Sequence, residues 1–368
     1  METLLKKTRP GLIRKTQRMG NASIILIFIM TMLLANSFSC CSASKRPLSD
    51  HFDGTRYHNI EKNSNHSFMD MIKWMWEMRT VDWPEWIEDP AQPKPEASVP
   101  EGKLRVTFVN HATVLIQADG LNILTDPIWS RRAGPFSWLG TKRVRKPGVD
   151  MEELPPIDIV LLSHDHYDHC DLPTLAALYK KKRFLVLAGL GMKKMLGKKG
   201  IYNVVELDWW QDFTVTDSEM QFSFVPAMHD SGRSLFRGRT RLWGGFVIRV
   251  KGGAVYFAGD TGYGEFIDEL HKRYPRFALT ILPVGNYEKR WFMKNQHMNP
   301  EDAVKAHLAL ASKQSMGMHY ATFNEHPEQA IDAHEKELKK ALSEHGLPGS
   351  AFWVLKFGEG REVGGSLR

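Results

Sequence analysis

The segment Ser163-His164-Asp165-His166-Tyr167-Asp168-His169 restricts this chain more than any other part of it. It sets three imidazoles and the Asp168 carboxylate directly after an apolar, strand-like run from Ile157 to Leu162. Two histidines separated by one residue at a strand end can turn toward the same ion. The Asp168-His169 pair, where the backbone curls toward a helix starting near Leu172, can reach a second ion close by. Neutral imidazole and carboxylate are the donors that Zn²⁺ takes in catalytic sites, where a position is left open for water. A polar strand-to-helix loop is the competing reading, and the HxHxDH spacing in this context argues against it.

Three more runs end in ligand-type residues. Phe222 to Ala227 leads into Met228-His229, Ala254 to Ala258 into Gly259-Asp260, and Ser315 to Met318 into His319-Tyr320. One such histidine alone reads as a core residue with a satisfied ring. Several strand-end donors that together complete two coordination spheres read as metal ligands converging on one rim of a sheet.

On these residues the chain resembles the metallo-β-lactamase superfamily, and within it the branch of N-acyl-phosphatidylethanolamine-hydrolysing phospholipase D. The resemblance runs from about Phe52 to Phe357. HxHxDH marks only the superfamily. The branch is marked by Asn110-His111-Ala112-Thr113, Leu124-Thr125-Asp126-Pro127, Leu139-Gly140-Thr141-Lys142-Arg143, Trp243-Gly244, Phe257-Ala258-Gly259-Asp260-Thr261-Gly262-Tyr263 and Gln296-His297-Met298-Asn299-Pro300. The resemblance implies an α/β fold, the αββα metallo-β-lactamase sandwich, with two packed mixed sheets and helices outside. It implies two Zn²⁺ ions, one held by His164, His166 and His229 and the other by Asp168, His169 and His319, with Asp260 bridging. Asp260, Asp168 and His297 are the implied catalytic residues, His297 protonating the leaving oxygen or binding the phosphate. Asp126 and His111 are expected behind the ligands, fixing them.

With 368 residues and 42% hydrophobic content, one catalytic domain with extensions accounts for the length. Residues 1–39 read as a signal peptide or signal anchor: a basic start, an apolar core from Ala22 to Ala35, and small residues around Cys40 and Cys41 that suit cleavage or lipid attachment. Residues 40–102 read as an N-terminal extension with a proline-rich linker, 103–361 as the catalytic domain and 362–368 as a tail. The expected setting is exported or membrane-associated, in a periplasm, on an outer membrane face or secreted.

Residues 1–39 hold six Lys/Arg against one acidic residue, so the formal charge of +7 falls to about +2 without them. That balance argues against a nucleic-acid partner. A phospholipid substrate and a membrane surface are the expected partners. Trp74, Trp76, Trp83 and Trp86, and the stretch Trp129 to Leu139, whose aromatics sit among Arg131, Arg132, Lys142, Arg143, Arg145 and Lys146, are candidate lipid-facing surfaces; covering an edge of the domain is the alternative for the tryptophans and a solvated basic loop for the stretch. Cys170 reads as a packing residue.

Strands are expected at Leu104 to Val109, Thr113 to Gln117, Asn122 to Thr125, Phe184 to Ala188, Phe222 to Val225, Gly245 to Val250, Ala254 to Phe257 and Leu279 to Pro283. Helices are expected at Phe68 to Met78, Leu172 to Lys180, Glu265 to Arg273, Pro300 to Leu310 and Pro327 to Glu344. Hydrolysis of a lactone or another phosphodiester stays open beside the phospholipase D reading. A nuclease, a diiron oxidoreductase and a non-enzymatic lipid-binding protein are disfavoured.

Overall fold

The computed structural model describes residues 47–61, 67–216, 218–233, 238–325 and 328–364. The expected leader, with Cys40 and Cys41, lies outside these residues. Among the described residues, no helix is long and apolar enough to cross a membrane.

The strands are β1 Leu104–Asn110, β2 Thr113–Ala118, β3 Leu121–Thr125, β4 Arg132–Phe136, β5 Leu139–Lys142, β6 Ile159–Leu162, β7 Leu185–Gly189, β8 Val204–Leu207, β9 Asp212–Thr214, β10 Gln221–Val225, β11 Gly245–Val250, β12 Gly253–Phe257, β13 Phe277–Pro283, β14 Ser312–Met318, β15 Phe352–Trp353 and β16 Gly360–Glu362. The helices are α1 Phe68–Glu77, α2 Leu172–Lys181, α3 Lys193–Gly197, α4 Phe266–Arg273, α5 Arg290–Met293, α6 Pro300–Ala309 and α7 Ala333–Glu344.

Among the described residues, two seven-stranded sheets form, in the orders β16-β1-β2-β3-β6-β7-β8 and β15-β14-β13-β12-β11-β10-β9. Each is mixed: an antiparallel meander passes into parallel strands at β3/β6 in the first sheet and at β12/β13 in the second. Period-two alternation explains why both faces are covered. Ile159 and Leu161 of β6 join the core shared with Phe222, Phe224, Phe246 and Phe257 of the second sheet, whereas Val160 and Leu162 join the cluster containing Leu175 and Leu178 of α2. A strand buried on both faces reads as the continuous apolar run seen at 157–162.

The expected elements match closely, with one correction. The last long helix begins at Ala333, not near Pro327. The stretch before it instead ties the N-terminal extension to the domain, since Glu328 Oε1 accepts from Arg79 N (2.8 Å) and the Gln329 carbonyl from Trp83 Nε1 (2.7 Å). The proline-rich stretch expected as a linker is also bound. The Glu96 and Ala97 carbonyls accept from the Gln117 and Asn122 side-chain amides, at 2.8 and 2.9 Å. Those amides lie buried within strands, and extended backbone rich in proline offers carbonyls without competing for its own hydrogen bonds. Helix α6 starts as expected, with Asn299 Oδ1 accepting from Asp302 N (2.9 Å) and Pro300 opening the first turn.

The stretch around Trp129 to Leu139 holds the β4–β5 hairpin, on which Phe136 and Trp138 stack at 5.4 Å and are 57% and 71% exposed. Of the four extension tryptophans, Trp74 stacks on Phe292 at 5.0 Å and Trp83 is hydrogen-bonded into the domain, while Trp76 is 89% exposed.

Gly259 shows how tightly the carboxyl ends of the strands are packed. Its φ is +61°, and a Cβ there would lie 2.5 Å from Ser163 Cβ. Gly259→Ala is expected to destabilise by about 3 kcal/mol, adding left-handed strain to a steric clash beside Asp260. Chemical denaturation checks this, and an unchanged midpoint would mean that the strand end relaxes freely.

Candidate metal centre

The donors converge because each follows the carboxyl end of a strand. His164 and His166 follow β6, Asp126 follows β3, His229 follows β10, Asp260 follows β12 and His319 follows β14. Three site residues turn through left-handed backbone: His111 (φ 48°), Asp126 (φ 33°) and His319 (φ 64°). Such conformations persist only where the surroundings over-determine them, and they concentrate at functional sites.

Two donor groups form. His164 Nε2 and His229 Nε2 lie 2.9 and 3.2 Å from His166 Nδ1. Beside them, Asp168 Oδ2 lies 3.1 Å from His169 Nε2, 3.3 Å from His319 Nε2 and 2.9 Å from His111 Nε2. Asp260 sits between the groups. Its Oδ2 is 3.1 Å from both His169 Nε2 and His319 Nε2 and 3.8 Å from His229 Nε2. His297 packs beside them, its ring centroid 5.2 Å from His229 and 5.4 Å from His319. Asp126 accepts from Ser163 N (2.8 Å) and Ser163 Oγ (2.5 Å) and holds His169 Nδ1 at 2.8 Å, leaving Nε2 to face the centre.

The donor set fits divalent cations. Imidazole nitrogens face one another at hydrogen-bond distance, and the buried Asp260 Oδ1 has no hydrogen-bond donor. The donors form clusters of three or four, each with ligand atoms within 4.8 Å of one another. Burial holds His164 well below the usual imidazole range, with the neighbouring histidines adding to the effect, and pushes His229 down to about 4 and His111 to about 3. For His169 and His319 burial acts downward but is outweighed by Asp260 and Asp168, so His169 is raised well above the usual range and His319 to about 9.

A group raised in this way holds its proton at neutral pH and releases it only as pH climbs through the raised value. Zinc loading of chelator-treated protein at pH 7 is therefore expected to release about two protons per chain, and to tighten as pH rises toward 9. Calorimetry in buffers of different ionisation enthalpy counts the protons; a count of zero would mean that neither ring yields its proton to the metal.

Several residues escaped the sequence reading. Asn59, from the N-terminal extension, clamps the His229 backbone: its Nδ2 donates to the carbonyl (2.9 Å) and its Oδ1 accepts from the amide (3.3 Å). It also accepts from Trp243 Nε1 at 3.1 Å. Asp230 lies 3.4 Å from His166 Nε2, and Arg241 pairs with the fully buried Asp165. Glu325, pushed up to about 8 by burial and then by the charge of Asp168, accepts from Asn286 Nδ2 at 2.7 Å. Only Asp230, adjacent to His229, carried a positional signal. Cys170 is buried and its thiol is pushed up to about 12 by that burial, which makes it inert packing.

Residues 121–320, more than half of the chain, match the family described as "Beta-lactamase superfamily domain". An uncharacterized protein of Mycobacterium tuberculosis is 36% identical over 284 residues, covering 73% of this chain and 75% of that protein. N-acyl-phosphatidylethanolamine-hydrolyzing phospholipase D 1 of Caenorhabditis elegans is 34% identical over 232 residues, covering 61% of this chain and 65% of that protein. The solved structure of Igni18, a metallo hydrolase from Ignicoccus hospitalis, superposes with a TM-score of 0.55 at 22% identity, over 72% of this chain and all of that one. The converging strand-end donors, the paired mixed sheets and the family match together make this chain a member of the beta-lactamase superfamily, with the αββα fold of its metallo-hydrolases.

Proposed function

We propose that this protein is a zinc-dependent phosphodiester hydrolase of the phospholipase D type, which releases N-acylethanolamine and phosphatidic acid from N-acyl-phosphatidylethanolamine at a membrane surface. The similarity to the nematode protein named for that reaction carries the reading. The two donor groups around Asp260 support it, because they suit a pair of cations. In this reading His164, His166 and His229 would hold one zinc, Asp168, His169 and His319 would hold the other, and Asp260 would serve both. A bound pair of this kind lowers the pKa of water toward neutrality and neutralises phosphoryl oxygens.

The chain's own residues do the rest. Water oxygen bonds to phosphorus, the phosphorus–oxygen bond on the ethanolamine side breaks, and the departing oxygen needs a proton. His297 supplies it. Its backbone is held by Met293 O, which accepts from His297 N (2.9 Å), and by Arg290 Nη1, which donates to the His297 carbonyl (2.7 Å). Asp126 keeps His169 turned so that Nε2 faces inward, and Asn59 fixes the backbone of His229. The exposed Phe136 and Trp138 pair, beside Arg131 and Arg132, suits contact with a lipid surface. Export to a periplasm or an outer membrane face belongs to the same proposal, and sequencing the mature amino terminus tests it.

His297→Ala is expected to lower kcat by about 10²- to 10⁴-fold with zinc content unchanged. Full turnover in that variant would remove the acid role. The decisive experiment is mass spectrometry of the products from zinc-loaded protein and N-acyl-phosphatidylethanolamine in detergent micelles, with Asp260→Asn as control. Phosphatidic acid and N-acylethanolamine from the intact site alone support the proposal. Zinc-loaded protein that leaves this lipid intact overturns it and turns the search to lactones and other phosphodiesters.

A further inference from the structure

Residues 48–61, the first described part of the N-terminal extension, lie on the domain as a strap. Ser49 and Tyr57 each bridge to Phe52, and the Phe52 and Tyr57 rings, 4.6 Å apart and both buried, join the main core. His51 Nε2 lies 2.8 Å from Asp208 Oδ1, and its ring stacks on Trp209 at 4.5 Å. The Tyr57 amide donates to the Arg239 carbonyl (2.7 Å). At the far end Glu61 Oε1 accepts from the amide of Phe266, the first residue of α4 (3.0 Å). Asn59 stands between these anchors, so its side chain is presented to His229 from both directions along the strap.

The two donor groups depend on the strap unequally. His229 stands past the end of the β10 ladder at Val225, and both of its backbone polar groups are taken by the Asn59 side chain. The other group is fixed from inside the domain. His319 N donates to the His111 carbonyl (2.8 Å), His111 Nε2 meets Asp168 Oδ2 at 2.9 Å, and Asp126 holds His169 Nδ1 at 2.8 Å. None of these contacts involves residues 48–61. Partners that orient a metal ligand are worth about 10- to 100-fold in metal affinity. A clamp on the backbone of one donor therefore acts on the group to which that donor belongs.

We propose that the strap sets the occupancy of one cation position, that of His164, His166 and His229, with Asn59 as its positioning residue, while the position of Asp168, His169 and His319 fills without it. The proposal rests on the two-cation reading of the centre and is independent of the substrate. The effect is reciprocal: if a docked strap tightens one cation by a given factor, that cation tightens the docking of the strap by the same factor. The firmness with which the N-terminal extension is held thus follows the filling of one position and not of the other.

Zinc competition between a chelating dye and the metal-free full chain tests this. In Asn59→Ala one of the two affinities falls by about 10- to 100-fold and the other changes by less than about twofold. A fall of both by the same factor would mean that the substitution acts through general stability, and two unchanged affinities would mean that His229 needs no clamp; either result overturns the proposal. Hydrogen exchange gives a second readout that needs no Asn59 variant. Zinc slows exchange of the bonded amides of Phe52, Tyr57 and His58, the slowing persists in Asp168→Ala, and it is lost in His164→Ala. Strap amides that ignore zinc, or a slowing that is lost with Asp168 and kept without His164, would also overturn it. Protein that shows the expected zinc pattern and leaves N-acyl-phosphatidylethanolamine intact loses the proposed reaction and keeps the strap.

Discussion

Asp260→Asn is expected to reduce turnover by more than about a thousandfold, equivalent to about 4 kcal/mol of lost transition-state stabilisation, while far-UV circular dichroism stays that of the parent. The magnitude follows from where the carboxylate stands. Oδ2 is within 3.1 Å of both His169 and His319, and Oδ1 is buried without a hydrogen-bond donor. Burial acts to raise this carboxyl, yet the His169 and His319 charges outweigh it and hold it well below the usual carboxylate range, so it is ionised at neutral pH. Asparagine keeps the shape but replaces one oxygen by an N–H donor and removes the charge that both donor groups share. On the proposed two-cation reading, metal analysis of the dialysed protein should therefore fall from about two ions per chain to one or fewer. Retention of parental metal content and turnover would leave Asp260 as a mere buried acid.

Asp126→Ala has the second largest expected effect, and it falls on stability before activity. Asp126 is fully buried and serves three donors at once: Ser163 N, Ser163 Oγ and the His169 ring. Its removal strands those donors and opens a space at the junction of β3 and β6. The expected loss is about 3–5 kcal/mol, with metal affinity falling a further 10- to 100-fold as His169 loses its orientation. Asp126→Asn separates the two effects. Its amide oxygen can still accept from Ser163, but its N–H₂ would face His169 Nδ1 and favour the wrong tautomer, so metal binding should suffer more than stability. Thermal melts of the metal-free proteins, paired with zinc titrations, distinguish these outcomes. An alanine variant as stable as the parent would show that Ser163 and His169 find other partners.

Both residues stand at strand ends, and that is why the sequence exposes them. An apolar run of four to six residues followed by a histidine or aspartate is readable without knowing which strands pair, because a buried strand must be apolar and must stop where polar chemistry begins. Asp126, Asp260 and His319 were found in this way, and His164 to His169 by spacing. His111 contacts one of the expected ligands. Its Nε2 meets Asp168 Oδ2 directly at 2.9 Å, inside one of the four candidate donor clusters. No local pattern reports such a contact, since His111 and Asp168 are 57 residues apart.

The edge strands were the least legible part of the fold. Strands β9, β15 and β16 are two or three residues long, too short to show alternation against the surrounding loops. The start of α7 was misread because Glu328 and Gln329 suit a helix locally, while their side-chain and carbonyl oxygens are used by Arg79, Tyr287 and Trp83.

By itself the sequence determined the donor types and their position just past strands, because hydrophobic periodicity and ligand spacing are local properties of the chain; the two-sheet architecture was implied by the family resemblance. The tertiary structure alone decided that Asn59, 170 residues before His229, clamps the backbone of that donor, and that the proline-rich stretch lies along β2 and β3. Each of these depends on which distant groups meet when the two sheets close over their common core. That encounter is set by packing and by the need of buried polar atoms for partners, neither of which is written at any single position.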